Sequence, residues 1–184
     1  MYLESLLDDD DVYLSKTDDE IIKKYINNNY TITGRITIPD DFVVNCKGSV
    51  LVKNLSITSL TNGLFRWGKV GGNFICALCD NLTSLEGAPE KVDGDFDCHD
   101  CKNLISLGGA PKEIYGNFKC NNCTNLTSLK GASKKVGGNF DCSDCVKLES
   151  LKDTPKKVGR DVICHNCPNL KIADSDRKNY TIGD

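Results

Sequence analysis

The sequence lacks the motifs that would identify an enzyme or a membrane protein. It contains no G-x-S-x-G, no H-E-x-x-H and no Walker-type phosphate loop, and it has only two histidines. No apolar run is long enough to span a bilayer, and residues 1–16 lack the basic and apolar regions of a signal peptide. We therefore expect a protein without catalytic residues that stays in the cytoplasm and has no membrane partner.

An excess of positive charge is also missing. The 184 residues include 23 Lys and Arg against 26 Asp and Glu, which gives a net charge of −3. Such a chain offers no basic field to a phosphate backbone, so nucleic acid is not an expected partner. A content of 39% hydrophobic and 27% charged residues is instead typical of a folded domain.

From Lys69 onward the chain repeats itself every 22 residues. The copies are KVGGNFICALCDNLTSLEGAPE, KVDGDFDCHDCKNLISLGGAPK, EIYGNFKCNNCTNLTSLKGASK, KVGGNFDCSDCVKLESLKDTPK and a less regular KVGRDVICHNCPNLKIADS. A unit of this length cannot bury its Val, Phe, Cys and Leu side chains alone, whereas stacked units bury each column against its neighbour. The repeat therefore predicts a mainly β solenoid of 22-residue coils.

The segment G-x-F-x-C alternates as a strand does, with Phe and the first Cys on one face. Strands from successive coils are expected to form a parallel sheet along one side of the stack. The paired glycines and the G-A-P segment are typical of corners. The opposite side, around L-T-S-L-x-G-A-P, is expected to be extended or to form one tight turn, with little helix.

The two ends of the chain differ from the array. Thr17 and Glu20 have the spacing of a capping box, which predicts a short helix at about 18–28. The four aspartates at 8–11 are interpreted as a solvated loop. The predicted organisation is an N-terminal cap at 1–47 with an irregular first rung, a solenoid at 48–174 and a C-terminal cap or tail at 175–184.

A degenerate coil precedes the regular ones. Leu51, Asn54, Ile57 and Leu60 reproduce the spacing of the two Cys and two Leu columns, so the first two are predicted to take the positions of the cysteines. Trp67, in the longer loop that follows, is interpreted as packing filler rather than as a surface feature.

The eleven cysteines admit three interpretations. Five C-x-x-C pairs could bind zinc, could carry redox chemistry, or could form a buried ladder of small apolar side chains whose thiols donate to backbone carbonyls. We favour the ladder, because an odd number of pairs cannot be shared two by two and because each pair has the same strand-and-turn context. No metal or other cofactor is therefore expected. The pairs are Cys76/Cys79, Cys98/Cys101, Cys120/Cys123, Cys142/Cys145 and Cys164/Cys167, and Cys46 is assigned to packing.

The segment G-x-F-x-C-x-x-C-x-x-L resembles the leucine-rich repeat signature over about residues 48–174. The first Cys stands where that family has a leucine, and the second where it has asparagine or cysteine. The phrase L-T-S-L-x-G-A-P is similar to short arrays encoded by tailed bacteriophages and large viruses. The resemblance implies a right-handed, curved stack whose concave parallel sheet binds a macromolecule.

Variable outward positions beside the buried Phe and Cys define the candidate partner-binding surface. Its amide and carboxylate groups suit a protein or a basic segment. A second stripe, of lysines before each Val, is interpreted as a solvated edge that discourages aggregation. The surface residues are Asn73, Ile75, Asp95, Asp97, His99, Asn117, Lys119, Asn121, Asn139, Asp141, Ser143 and His165, and the stripe contains Lys91, Lys112, Lys134, Lys135, Lys156 and Lys157.

The function predicted from these features is a protein–protein interaction module without chemistry of its own. If the chain is viral, its partner is expected to be a host factor, for example a defence protein, met in the host cytoplasm. Two alternatives stay open: a zinc-stabilised module that uses the C-x-x-C pairs, and a structural component of a particle or fibre.

Overall fold

The computed structural model describes residues 16–38 and 42–172. The aspartates at 8–11 and the segment 175–184, both given an interpretation above, lie outside the described residues. In the described part, one helix precedes fourteen short strands. Their bounds are α1 Lys16–Asn29, β1 Tyr30–Ile32, β2 Ile36–Thr37, β3 Val43–Cys46, β4 Val50–Val52, β5 Arg66–Val70, β6 Phe74–Ile75, β7 Lys91–Val92, β8 Phe96–Asp97, β9 Glu113–Ile114, β10 Phe118–Lys119, β11 Lys135–Val136, β12 Phe140–Asp141, β13 Lys157–Val158 and β14 Val162–Ile163.

The chain forms a β-solenoid of about six coils, as the repeat predicted. Each regular coil contributes one strand to each of two sheets. The first sheet has the order β1-β4-β6-β8-β10-β12-β14, and the second has the order β13-β11-β9-β7-β5-β3-β2. Neighbouring strands are parallel except at the N-terminal end, where β1 pairs antiparallel with β4 and β2 with β3. The second sheet was not predicted, because its Lys-Val segment was interpreted as part of a corner.

Like side chains stack on like in the core. The rings of Phe74, Phe96, Phe118 and Phe140 succeed one another with centroids 5.7, 5.3 and 5.3 Å apart, close to the usual strand spacing. These rings and the paired cysteine and leucine columns of the regular coils are buried. Since a fully buried Leu or Phe contributes roughly 1.5–3 kcal/mol, the stacking of coils supplies the stability that a single coil lacks.

The N-terminal end is closed by a helix and an aromatic cluster. Helix α1 contains the predicted segment 18–28 and buries Ile22 and Ile26 in the common core. Trp67 is 1% exposed and lies with its ring centroid 5.4 Å from that of Tyr30 and 5.2 Å from that of Phe65. The interpretation of Trp67 as packing filler is therefore confirmed.

The alignment of the degenerate coil was wrong by one residue in its strand. Strand β4 pairs with β6 so that Leu51 faces Ile75 across the sheet, which places Val52, not Leu51, in the column of Cys76. Leu51 is accordingly 43% exposed and Val52 is buried. A one-residue shift moves a strand side chain to the opposite face, and the spacing of three between apolar residues could not reveal it.

Candidate interaction surface

The outer face of the first sheet carries the variable residues singled out from the sequence. Strands β6, β8, β10, β12 and β14 pair in register, so Phe and the position after it each form a continuous column. Burial alternates as predicted, with Phe inside and the next residue partly exposed. The candidate residues therefore form three rows along the stack, one before Phe, one after it and one after the first Cys.

The row before Phe links the coils to one another. Each side-chain oxygen in this row accepts a hydrogen bond from the backbone N–H of the same position in the next coil. The distances are 2.9 Å from Asn73 to Asp95, 2.7 Å from Asp95 to Asn117, 2.8 Å from Asn117 to Asn139 and 3.1 Å from Asn139 to Asp161. These oxygens are occupied within the protein, so the row stabilises the stack in addition to facing outward.

The row after Phe alternates in chemical character. Lys119 forms ion pairs with two aspartates of the preceding coil, with its Nζ 3.3 Å from Asp95, in the row before Phe, and 3.9 Å from Asp97. Partial burial by itself would raise the pKa of the Asp95 carboxyl, but hydrogen bonds from Asn117 and the Lys119 ammonium hold that pKa below its ordinary value. The complete row is Ile75, Asp97, Lys119, Asp141 and Ile163.

The row after the first Cys is partly internal. His99 is held by Asp97, whose Oδ1 lies 2.6 Å from His99 Nδ1 and also accepts the His99 backbone N–H at 3.1 Å. Asp141 makes the same turn with the backbone N–H of Ser143 at 3.0 Å. Ser143 is only 8% exposed, and its Oγ accepts the backbone N–H of His165 at 3.3 Å. Of this row, His99, Asn121 and His165 are partly exposed, and Ser143 is buried.

A fourth polar row went unnoticed in the sequence. The residue before the second Cys of each of the five pairs has a left-handed backbone, with φ of 62° at Leu78 in the first pair and of 57°, 57°, 58° and 57° at Asp100, Asn122, Asp144 and Asn166 in the other four. Asn and Asp tolerate this conformation better than other non-glycine residues, which explains their recurrence. Their side chains also pair between coils, with Asn122 donating to Asp100 and Asn166 donating to Asp144 at 2.9 Å. The recurrence of Asn or Asp at this position was the signal available in the sequence.

The cysteines form a ladder of buried thiols, as favoured above. All eleven are free, and only Cys167 is partly exposed. The second cysteine of a coil donates its Sγ–H to the backbone carbonyl of the first cysteine of the preceding coil. The Sγ–O distances are 3.1 Å for Cys101 to Cys76, 3.3 Å for Cys123 to Cys98, 3.2 Å for Cys145 to Cys120 and 3.3 Å for Cys167 to Cys142.

Burial keeps the thiols of Cys79, Cys98, Cys120 and Cys164 protonated. It raises the pKa of Cys79 and of Cys164 to about 11, and it raises the pKa of Cys98 and Cys120 well above the ordinary thiol value. Metals and electrophiles react with the thiolate, so protonated thiols serve here as hydrogen-bond donors. In residues 16–38 and 42–172, no group of three or more His, Cys, Asp and Glu side chains is placed to hold a metal ion.

The lysine stripe follows the second sheet: Lys91, Lys135 and Lys157 lie on its strands, and Lys112, Lys134 and Lys156 each come directly before one. Lys91 pairs with Glu113 at 3.3 Å, and Lys112 pairs with Glu90 at 3.5 Å. Tyr115, which is 44% exposed, stands with its ring centroid 4.7 Å from Lys91 Nζ. In the earlier coils, therefore, acidic and aromatic side chains on the same sheet offset the charge of the stripe.

Comparison with known proteins gives no further assignment, since no family model, curated protein or solved structure matches the chain. The architecture itself defines a solenoid repeat protein with many buried cysteines. In its described part, no helix combines the length and apolar character needed to cross a membrane.

Proposed function

We propose that this protein is a rigid protein-binding module that presents the outer face of the first sheet to a protein partner. The observation that carries the proposal is that the buried columns are nearly constant from coil to coil while the exposed row after Phe varies. The inner columns repeat Phe, Cys and Leu, while the row after Phe changes from Ile75 to Asp97, Lys119, Asp141 and Ile163 on strands held in register. A specific surface can be encoded in such a row without disturbing the core.

The arrangement of the two aspartates supports the proposal. Asp97 and Asp141 each use one carboxylate oxygen to accept a backbone N–H two residues further along the chain, so both side chains have fixed orientations. Lys119 lies on the strand between theirs. Preorganised polar groups lose little conformational entropy on binding and discriminate between partners by charge.

The leucine-rich repeat resemblance and the similarity to phage and large-virus arrays extend the proposal. On that basis the partner is a host protein, met in the cytoplasm. Thiols that act as buried hydrogen-bond donors suit a reducing compartment, where cysteines generally stay free of disulfides.

The proposal is tested by affinity capture from the lysate of a host cell, with mass-spectrometric identification. The test variant is Asp97→Arg/Asp141→Arg, and Asp97→Asn/Asp141→Asn keeps the turn-forming oxygen while removing the charge. Glu149→Arg, on an exposed residue outside the three rows, is the matched control. We expect proteins captured by the wild type and the control to be lost with the Arg variant and reduced with the Asn variant. Equal capture by all four proteins would remove this face as the binding site.

A further inference from the structure

Four lysines on the outer part of the second sheet differ in their surroundings from the lysines of earlier coils. We call them the lysine quartet. Two of them begin the neighbouring strands β11 and β13, and the other two come directly before those strands. Lys135 and Lys157 are opposite one another in the strand register. Three of the four are exposed, and Lys135 is partly exposed. The quartet is Lys134, Lys135, Lys156 and Lys157.

The same columns are neutralised in the preceding coils. The column of Lys134 begins with Glu90, which pairs with Lys112 at 3.5 Å. The column of Lys135 contains Glu113, which pairs with Lys91 at 3.3 Å. In both cases a carboxylate one coil away lies within reach of an ammonium group, so this sheet can form ion pairs between coils.

In the quartet this compensation is only partial: Lys135 faces Glu113 across the sheet, and the pKa of that carboxyl is lowered by Lys91 and, to a lesser extent, by Lys135. No ion pair joins any of its members to a carboxylate within residues 16–38 and 42–172, although Lys135 Nζ lies 4.9 Å from the Tyr115 ring centroid. On the side away from Glu113, Lys135 faces Lys157 at about one strand spacing, roughly 4.8 Å. Like charges directly opposite one another destabilise a sheet, and within the described residues only Lys135 is offset, by Glu113 and Tyr115 on its other side.

We propose that the lysine quartet is a second interaction surface, which binds a short acidic segment of a protein partner in extended conformation. Tyr115, held beside it between two ammonium groups and 44% exposed, adds a surface on which a peptide side chain can pack. The partner's carboxylates take the places that Glu90 and Glu113 occupy in the earlier coils. This surface is separate from the first-sheet face, and its test does not depend on that face.

The surrounding charges favour a short peptide over a nucleic acid. The same sheet carries Glu90, Asp93 and Glu113 one to three coils away, which is within about one to two Debye lengths at 0.1 M salt. Because these carboxylates are ion-paired with Lys112, Lys69 and Lys91, this part of the sheet offers no excess positive charge to a continuous phosphate backbone running along the stack. A short acidic segment can end before it reaches this part of the sheet.

The experiment uses fluorescein-labelled octaglutamate and measures its binding to the full-length protein by fluorescence anisotropy at several salt concentrations. The test variant changes all four lysines of the quartet to Gln. The matched control makes the same change in net charge elsewhere, with Lys24→Gln, Lys47→Gln, Lys102→Gln and Lys171→Gln, all at exposed positions. An octaglutamine peptide and a single-stranded oligonucleotide with eight phosphates are the ligand controls.

We expect salt-sensitive octaglutamate binding by the wild type, at least about tenfold weaker binding by the quartet variant and less than about twofold change in the control, since only the quartet variant removes the four ammonium groups of the proposed site. Removing like-charge repulsion should leave the unfolding midpoint of the quartet variant equal to or above that of the wild type. If that variant does not fold, Lys156→Gln/Lys157→Gln is measured in its place. Absence of wild-type binding, equal loss in test and control variants, or tighter binding of the oligonucleotide would each overturn the proposal.

Discussion

In successive coils the thiol of the second cysteine donates a hydrogen bond to a buried backbone carbonyl of the preceding coil. In most proteins a water molecule or an amide N–H donates to such a carbonyl. Cys123 Sγ lies 3.3 Å from the Cys98 oxygen, and the same contact recurs between the neighbouring coils. A buried carbonyl without a donor costs about 1–3 kcal/mol. Although the S–H group is a weak donor, its hydrogen bond avoids this cost. Cysteine suits this column because it combines small apolar volume with one donor.

Two substitutions of Cys123 distinguish its contribution as a hydrogen-bond donor from its contribution as a small apolar side chain. In an ordinary apolar site a buried Ser is less stable than Ala, because its hydroxyl lacks a partner. Here the Cys123→Ser hydroxyl can donate to the Cys98 carbonyl, so we expect Cys123→Ser to be more stable than Cys123→Ala by about 1 kcal/mol. Chemical denaturation of both variants at neutral pH measures the difference. A Ser variant less stable than the Ala variant would show that the thiol acts only as filler.

The burial of the repeating apolar side chains could be predicted from the sequence, whereas the hydrogen bonds that polar side chains form between coils could not. The burial of Phe96 and of both cysteines of a pair follows from periodicity alone. An Asn that faces solvent and an Asn that binds the next coil have the same periodicity, so the role of Asn117 was hidden. The one-residue shift of the strand register at Leu51 could not be predicted either, because a spacing of three between apolar residues fits both registers.

At the scale of elements, the strands of the regular coils are too short to be stable by themselves. From β6 onward each contains two residues, and each has a parallel neighbour on both sides except β13 and β14, which end their sheets and have one. A Lys-Val pair carries no alternation that could mark a strand, which is why the second sheet was not anticipated while the longer G-x-F-x-C segment was. The coil, not the strand, is therefore the structural unit.

Removal of one whole coil tests this view. Deletion of residues 91–112 joins Glu90 to Glu113 and brings Phe74 opposite Phe118, with every column restored. We expect a folded protein whose circular dichroism spectrum has the same shape as that of the wild type. Its unfolding midpoint should be lower, because one interface between neighbouring coils is lost. The matched control deletes residues 91–101, half a coil, which sets strands against corners and should abolish folding. A half-coil deletion as stable as the whole-coil deletion would contradict the stacked register.

At the scale of the whole molecule, the thiol ladder couples stability to alkaline pH. The pKa values of Cys76, Cys98, Cys120 and Cys142 are raised mainly by burial, so these groups stay protonated in the folded state at pH values where they ionise in the unfolded chain. The folded state then binds more protons than the unfolded state. Stability is fully present below the unfolded thiol pKa of about 8.5 and falls as pH rises above it.

We expect the free energy of unfolding to be nearly constant between about pH 7 and pH 8 and to fall steeply from about pH 9, by up to about 1.4 kcal/mol per pH unit for each thiol that ionises only on unfolding. Urea unfolding under reducing conditions across this range measures the slope. A free energy that stays level up to about pH 10 would mean that the thiols are accessible to solvent in the folded protein.

The closed end of the stack is the end that the ribosome makes first. Helix α1 and the aromatic cluster around Trp67 emerge before any regular coil, and each later coil finds a finished edge on which to dock. At roughly 5–20 residues per second, translation releases one 22-residue coil about every 1–4 seconds, far longer than a hairpin-sized segment needs to settle. We therefore expect the nascent protein to grow rung by rung in one direction, with its thiols enclosed in the order in which they are synthesised.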